Sequence, residues 1–156
     1  MPARPSWWND AVVALEENRP ARTLELIDRP TDPAQALLAA RAHFAAGDLV
    51  GTTQAASRGL PTADDTERRE LLWWGSNAAL GLGDADAAMA WTDQLAAISG
   101  DDPDWRAAAA RFADLAAALG STRDRSNEAI VRARAISVTG LLALVLGGAL
   151  VLRRRS

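Results

Sequence analysis

Residues 37–49 read LLAARAHFAAGDL. Alanine and leucine are the strongest helix formers, and glycine takes up the left-handed backbone that ends a helix. The stretch therefore predicts a helix running into a tight turn at Gly47-Asp48. Residues 71–85, LLWWGSNAALGLGDA, repeat the arrangement, with Gly83-Asp84 placed 36 residues after the first pair. A third, degenerate turn lies in ENRPA, residues 17–21, where Asn18 and Arg19 interrupt one helix and Pro20 opens the next, 29 residues before Gly47. After each turn the pattern predicts a second short helix, over residues 20–28, 49–59 and 85–99. The unit is helix, turn, helix, then a loop marked by proline. A single hairpin of this kind cannot bury its apolar face, so a core requires several to stack.

Hydrophobic spacing supports the same layout. Trp8, Val12 and Leu15 form a stripe in the first helix, and Leu37, Ala40 and Phe44 in the third. Ala88, Trp91, Leu95 and Ile98 do so in the sixth, and Trp105, Ala108, Phe112, Ala116 and Leu119 in a seventh that closes the array. Spacings of three and four put each set on one helical face. Start signals agree: Asp32-Pro33 and Asp102-Pro103 place a cap before a first-turn proline, and Asp64 with Glu67 has the spacing of a capping box. The expected fold is all-α, about seven helices within residues 1–119, with residues 120–127, GSTRDRSN, as a polar joint.

This arrangement resembles the tetratricopeptide repeat family over roughly residues 8–119. In that family a small residue and an aromatic sit on the first helix of each unit, the turn often reads Gly-Asp, and alanines line the second helix. Ala40 and His43 take the first two places in the middle unit, and Ser76 and Ala79 in the last. Ala88 matches the first alanine of the second helix, whereas Thr52 stands there in the middle unit. The resemblance implies a stack of antiparallel hairpins and a partner-binding groove lined by first helices, near His43, Trp73 and Asn77.

Composition restricts the rest. All seventeen basic residues are Arg, as in proteins from GC-rich, typically bacterial, genomes. There is no Cys, so no disulfide, thiol nucleophile or Cys-ligated zinc exists. Residues 1–122 carry ten Arg against eighteen carboxylates, a net charge of −8; residues 123–156 carry seven Arg against two, a net of +5. An acidic body does not suit nucleic acid, whose phosphates need a basic face. A basic segment beside an apolar run suits anionic headgroups.

That apolar run lies in SVTGLLALVLGGALVLRRRS, residues 137–156. Residues 135–152 form eighteen positions without a charge, bracketed by Arg134 and Arg153. As a helix they reach about 27 Å at 1.5 Å per residue, close to the ~30 Å hydrocarbon core of a bilayer. The expected element is a C-terminal transmembrane anchor spanning residues 128–156 with its basic tail, begun by Ser126 as a helix cap. A buried core helix and a surface-protein sorting signal are the competing readings. The first twenty residues lack the apolar stretch of a signal peptide, which favours a tail-anchored protein with its N-terminal domain cytoplasmic, at a bacterial inner membrane. Gly140, Ala143 and Gly147 share one face of the span, the small-residue pattern through which two membrane helices pack, so a homodimer is a further expectation.

No catalytic or cofactor pattern emerges. His43 is the only histidine, with no second metal ligand of its kind. GLGDADA, residues 81–87, follows a helix and not a strand, which argues against a dinucleotide loop. Asp101, Asp102 and Asp104 lack EF-hand spacing and read as helix-capping residues. Glu67, Arg68, Arg69 and Glu70 read as a solvated face. Six Trp beside two Phe and no Tyr is unusual. The adjacent pairs Trp7-Trp8 and Trp73-Trp74 point about 100° apart on a helix, so each pair serves either two core layers or one core layer and a contact surface. The expected function is a non-catalytic, membrane-anchored module binding a protein or peptide, without cofactor or metal. The alternatives are a structural or assembly subunit of a membrane complex and an exported surface protein.

Overall fold

The computed structural model describes residues 6–153, with side chains for residues 6–128. The helices run in the order α1 (Trp7–Glu16), α2 (Pro20–Ile27), α3 (Pro33–Ala45), α4 (Leu49–Gly59), α5 (Asp65–Gly81), α6 (Ala85–Ile98) and α7 (Pro103–Arg153). A 3-10 turn, Leu60–Thr62, sits between α4 and α5, and no strand occurs among the described residues. The protein is all-α.

Three of the turns share one hydrogen-bond pattern. The residue ahead of each turn's hinge donates to the carbonyl four back, the hinge donates three back, and the next residue donates five back. The donors are Glu17, Asn18 and Arg19 after α1; Ala46, Gly47 and Asp48 after α3; and Leu82, Gly83 and Asp84 after α5. The hinges Asn18, Gly47 and Gly83 have φ of 57°, 76° and 73°, the left-handed conformation open to glycine and tolerated by asparagine. Asp48 and Asp84 then cap the following helix, accepting from Gly51 N and Ala87 N. In the first turn Arg19 stands in that place without a cap, and Pro20 fixes the start. Asp32 caps α3 through Gln35 N, and Asp64 with Glu67 forms a capping box on α5.

Counting back seven residues from each hinge gives Ala11, Ala40 and Ser76, each 0% exposed; counting on five gives Thr23, Thr52 and Ala88, also 0% exposed. Small residues on both arms let paired helices approach closely, and in the first hairpin the Thr23 hydroxyl donates to Ala11 O across the gap. Among the described residues the core is accordingly built of alanine: fifteen of the twenty-two buried apolar residues are Ala, so the few large ones carry most of the buried area. Leu71, Leu72 and Leu95 are the largest fully buried side chains.

Trp73 and Trp74 serve two core layers. Trp74 packs on the cluster of Trp8, Ile27, Leu38 and Ala40 and meets Phe44 edge-on at 5.0 Å; Trp73 packs on the cluster of Leu72, Leu95, Ala109 and Phe112. The two rings meet each other at 4.6 Å, perpendicular. Trp91 of α6 lies over Gly75, where any Cβ would overlap the indole.

Two compact units divide the chain after Leu119. Within the first, residues 103–119 of α7 pack Ala109, Phe112 and Ala116 onto the α5 and α6 side chains. The joint expected over residues 120–127 is helical instead, as part of α7. Ser126 is not a cap there: its hydroxyl donates to Thr122 O, and Arg125 donates to Ser121 O and Oγ. Such back-bonding satisfies polar side chains inside a helix. Among the described residues no helix is long and apolar enough to cross a membrane. The expected anchor over residues 135–152, with Gly140, Ala143 and Gly147, lies beyond the residues whose side chains are described.

Candidate functional site

The first helices of the three hairpins leave a groove of about 290 Å³. Trp8, Val12 and Leu15 of α1 face Leu37 and Leu38 of α3 across it. Val12, Leu15 and Leu37 are only partly buried, so apolar area stays open to a visitor. Three charges line the same groove: Glu16, the last residue of α1; Arg41, midway along α3; and Glu67, in the first turn of α5. One Glu67 oxygen accepts from Asp64 N in the capping box. Val12, Arg41 and Asn77 stand in corresponding places, six residues before their hinges, so hairpin register determines what reaches this face.

His43 lies elsewhere. It lines a cleft of about 180 Å³ with Leu24 and Ile27 of α2 and Gln54, Ala55 and Arg58 of α4. Neither Trp73 nor Asn77 lines that cleft. Asn77 Nδ2 donates to Trp73 O one turn back, which joins those two residues to each other and not to His43. Of the three residues expected in one groove, His43 lines the cleft beside α2 and α4, and none of the three lines the groove between α1 and α3. The residues that sequence reasoning missed are Leu37, Arg41, Glu16 and Glu67. The available signal was the count from the hinge: four residues before it stand Ala14, His43 and Ala79, and the two alanines are buried.

His43 replaces alanine at that place, and α4 makes room for it. A Cβ on Gly51 would overlap the imidazole and Asp48. Asp48 holds both: one oxygen accepts from Gly51 N at 2.8 Å, and the other lies 2.9 Å from His43 Nδ1. The Gly51 N–H bond is the main cause that holds the Asp48 pKa below its ordinary value; burial opposes it, and the contact with His43 lowers the pKa further. A carboxylate depressed on folding stabilises fully above its unfolded pKa of about 3.9, and this contribution disappears as pH falls through the lower folded value. Asp48→Ala is thus expected to cost about 1 kcal/mol at pH 7, the usual value of an N-cap. Urea unfolding at pH 3 should show a smaller difference between the variant and the parent.

The charged run of residues 67–70 is more than a solvated face. Arg68 donates to Ala63 O, and Arg69 Nε reaches Ile98 O at 3.2 Å, satisfying a carbonyl at the end of α6. Asp102 accepts from Asp104 N and Trp105 N at the start of α7. Among the described residues no cluster of three or more acidic or histidine side chains is placed to hold a metal ion. No family model, curated protein or solved structure matches this chain.

Proposed function

We propose that the chain is a non-catalytic interaction module held at a membrane by its C-terminal segment. Its first unit is a tetratricopeptide-like stack that docks a protein or peptide in the groove between α1 and α3. The observation that carries the reading is the groove itself: partly open aliphatic side chains between two hairpins, rimmed by charge, where a helix-hairpin stack presents first helices. The eighteen uncharged residues 135–152, flanked by Arg134 and Arg153, support the membrane part. Tethering confines the groove to two dimensions and raises the effective concentration of whatever it holds. The N-terminal unit faces the cytoplasm in this reading.

A second reading, a structural subunit of a membrane complex, draws support from Gly140, Ala143 and Gly147, whose spacing suits helix packing within the bilayer. Cross-linked pull-downs from detergent extract separate the two. With Leu37→Asp and Val12→Asp together, a groove-docked partner is lost while partners held through the span remain. Recovery of every partner by that double variant, with its helicity unchanged, removes the groove from the account.

A further inference from the structure

The charges around the groove specify what enters it. Two carboxylates, Glu16 and Glu67, oppose one guanidinium, Arg41, around an apolar floor. Neither Glu16 nor Arg41 forms an ion pair within the groove among the described residues. The carboxylates come from two different helices, α1 and α5, and line the same groove as the α3 side chains. The surroundings reinforce the sign, since residues 1–122 carry ten Arg against eighteen carboxylates. A net negative balance around a cleft concentrates cationic ligands and raises their rate of encounter. The volume, about 290 Å³, suits one or two aliphatic side chains, not a folded surface.

We infer that the groove takes a short partner segment bearing leucine-like side chains flanked by arginine or lysine. The aliphatic side chains cover Val12, Leu15 and Leu37, and the flanking cations meet Glu16 and Glu67. Arg41 opposes such a ligand electrostatically, and its stem widens the apolar floor. The inference rests on the groove being the docking site and adds the chemistry of its occupant.

The test measures fluorescence anisotropy of two labelled peptides against the full-length chain in detergent micelles. One peptide is Arg-Ala-Leu-Leu-Ala-Arg with blocked ends; the other replaces each Arg by Glu. The Arg peptide is expected to bind about tenfold more tightly or better, and to weaken as salt rises from about 0.05 to 0.5 M. Glu16→Gln and Glu67→Gln should each weaken it about two- to fivefold, the usual effect of one exposed ion pair. Glutamine retains the capping box at residue 67, so that variant keeps the α5 start. Arg41→Gln should tighten binding, an effect of opposite sign that loss of structure does not produce. Equal affinity for the two peptides, or preference for the Glu peptide, overturns the inference; if Leu37→Ala still weakens binding, the groove itself survives. Failure of both peptides to bind, or binding indifferent to Leu37→Ala, overturns the inference and the docking site together.

Discussion

Leu72→Ala lowers the unfolding free energy by about 2–5 kcal/mol, the range for removing a buried leucine into a cavity that cannot fully collapse. Leu72 is 1% exposed and packs against Leu95 of α6 and Ala109 and Phe112 of α7, so one side chain joins three helices. The effect is large here because Leu72 is enclosed by large, mutually packed neighbours, Leu95, Phe112, Trp73 and Trp91 among them, which cannot all shift inward to fill the space it leaves. A domain of this size holds about 5–15 kcal/mol in total, so the variant loses a substantial share of its stability. Leu115→Ala is the control. Leu115 is 53% exposed, and its removal should stay within about 0.5 kcal/mol. Urea denaturation followed by tryptophan fluorescence measures both. Equal midpoints for the two variants would mean that α7 does not dock onto α5 and α6 through this cluster.

Leu142→Arg combined with Leu146→Arg is expected to release the chain from membranes. The two positions fall near the middle of the uncharged run of residues 135–152. Each arginine at the centre of a membrane helix costs about 2.5–3.5 kcal/mol on insertion scales. Two of them shift the partition by roughly 5–7 kcal/mol, on the order of ten-thousandfold or more. Neither position lies in the hairpin stack, so the variant's first unit should keep the parent's unfolding midpoint. If the double variant fractionates with membranes as the parent does, the apolar run is not what holds it there.

The hairpin layout was legible because helix ends carry strong local chemistry. Asp32, Asp64 and Asp102 each accept the backbone bonds their spacing predicts, and the two Gly-Asp turns have the left-handed hinge that glycine favours. The core was legible only in part. Periodicity picks out the large side chains, yet the closely paired helices bury alanine first. In α1 the buried stripe is Trp8, Ala11 and Ala14, and Val12 turns to the groove. The same shift of face moved Leu37 into the groove and His43 out of it. Which face a residue joins depends on its count from the hinge, and a single sequence gives that count only once the hinge residue is known. The composition turns polar at residue 120, where the first unit ends, and residues 120–127 continue as helix. Glycine and serine suggest a loop, but Ser121, Thr122, Arg125 and Ser126 satisfy one another along a helix.

Residence of residues 135–152 in lipid, as proposed, is tested directly by alkaline carbonate extraction followed by flotation. Membranes prepared from cells expressing the unaltered chain are washed at about pH 11, which strips proteins held only by charge, and then floated through a density gradient. The chain is expected to rise with the lipid after the wash. Its recovery at the bottom of the gradient, released by the wash without detergent, would mean that the segment is held at the membrane by charge and not inserted.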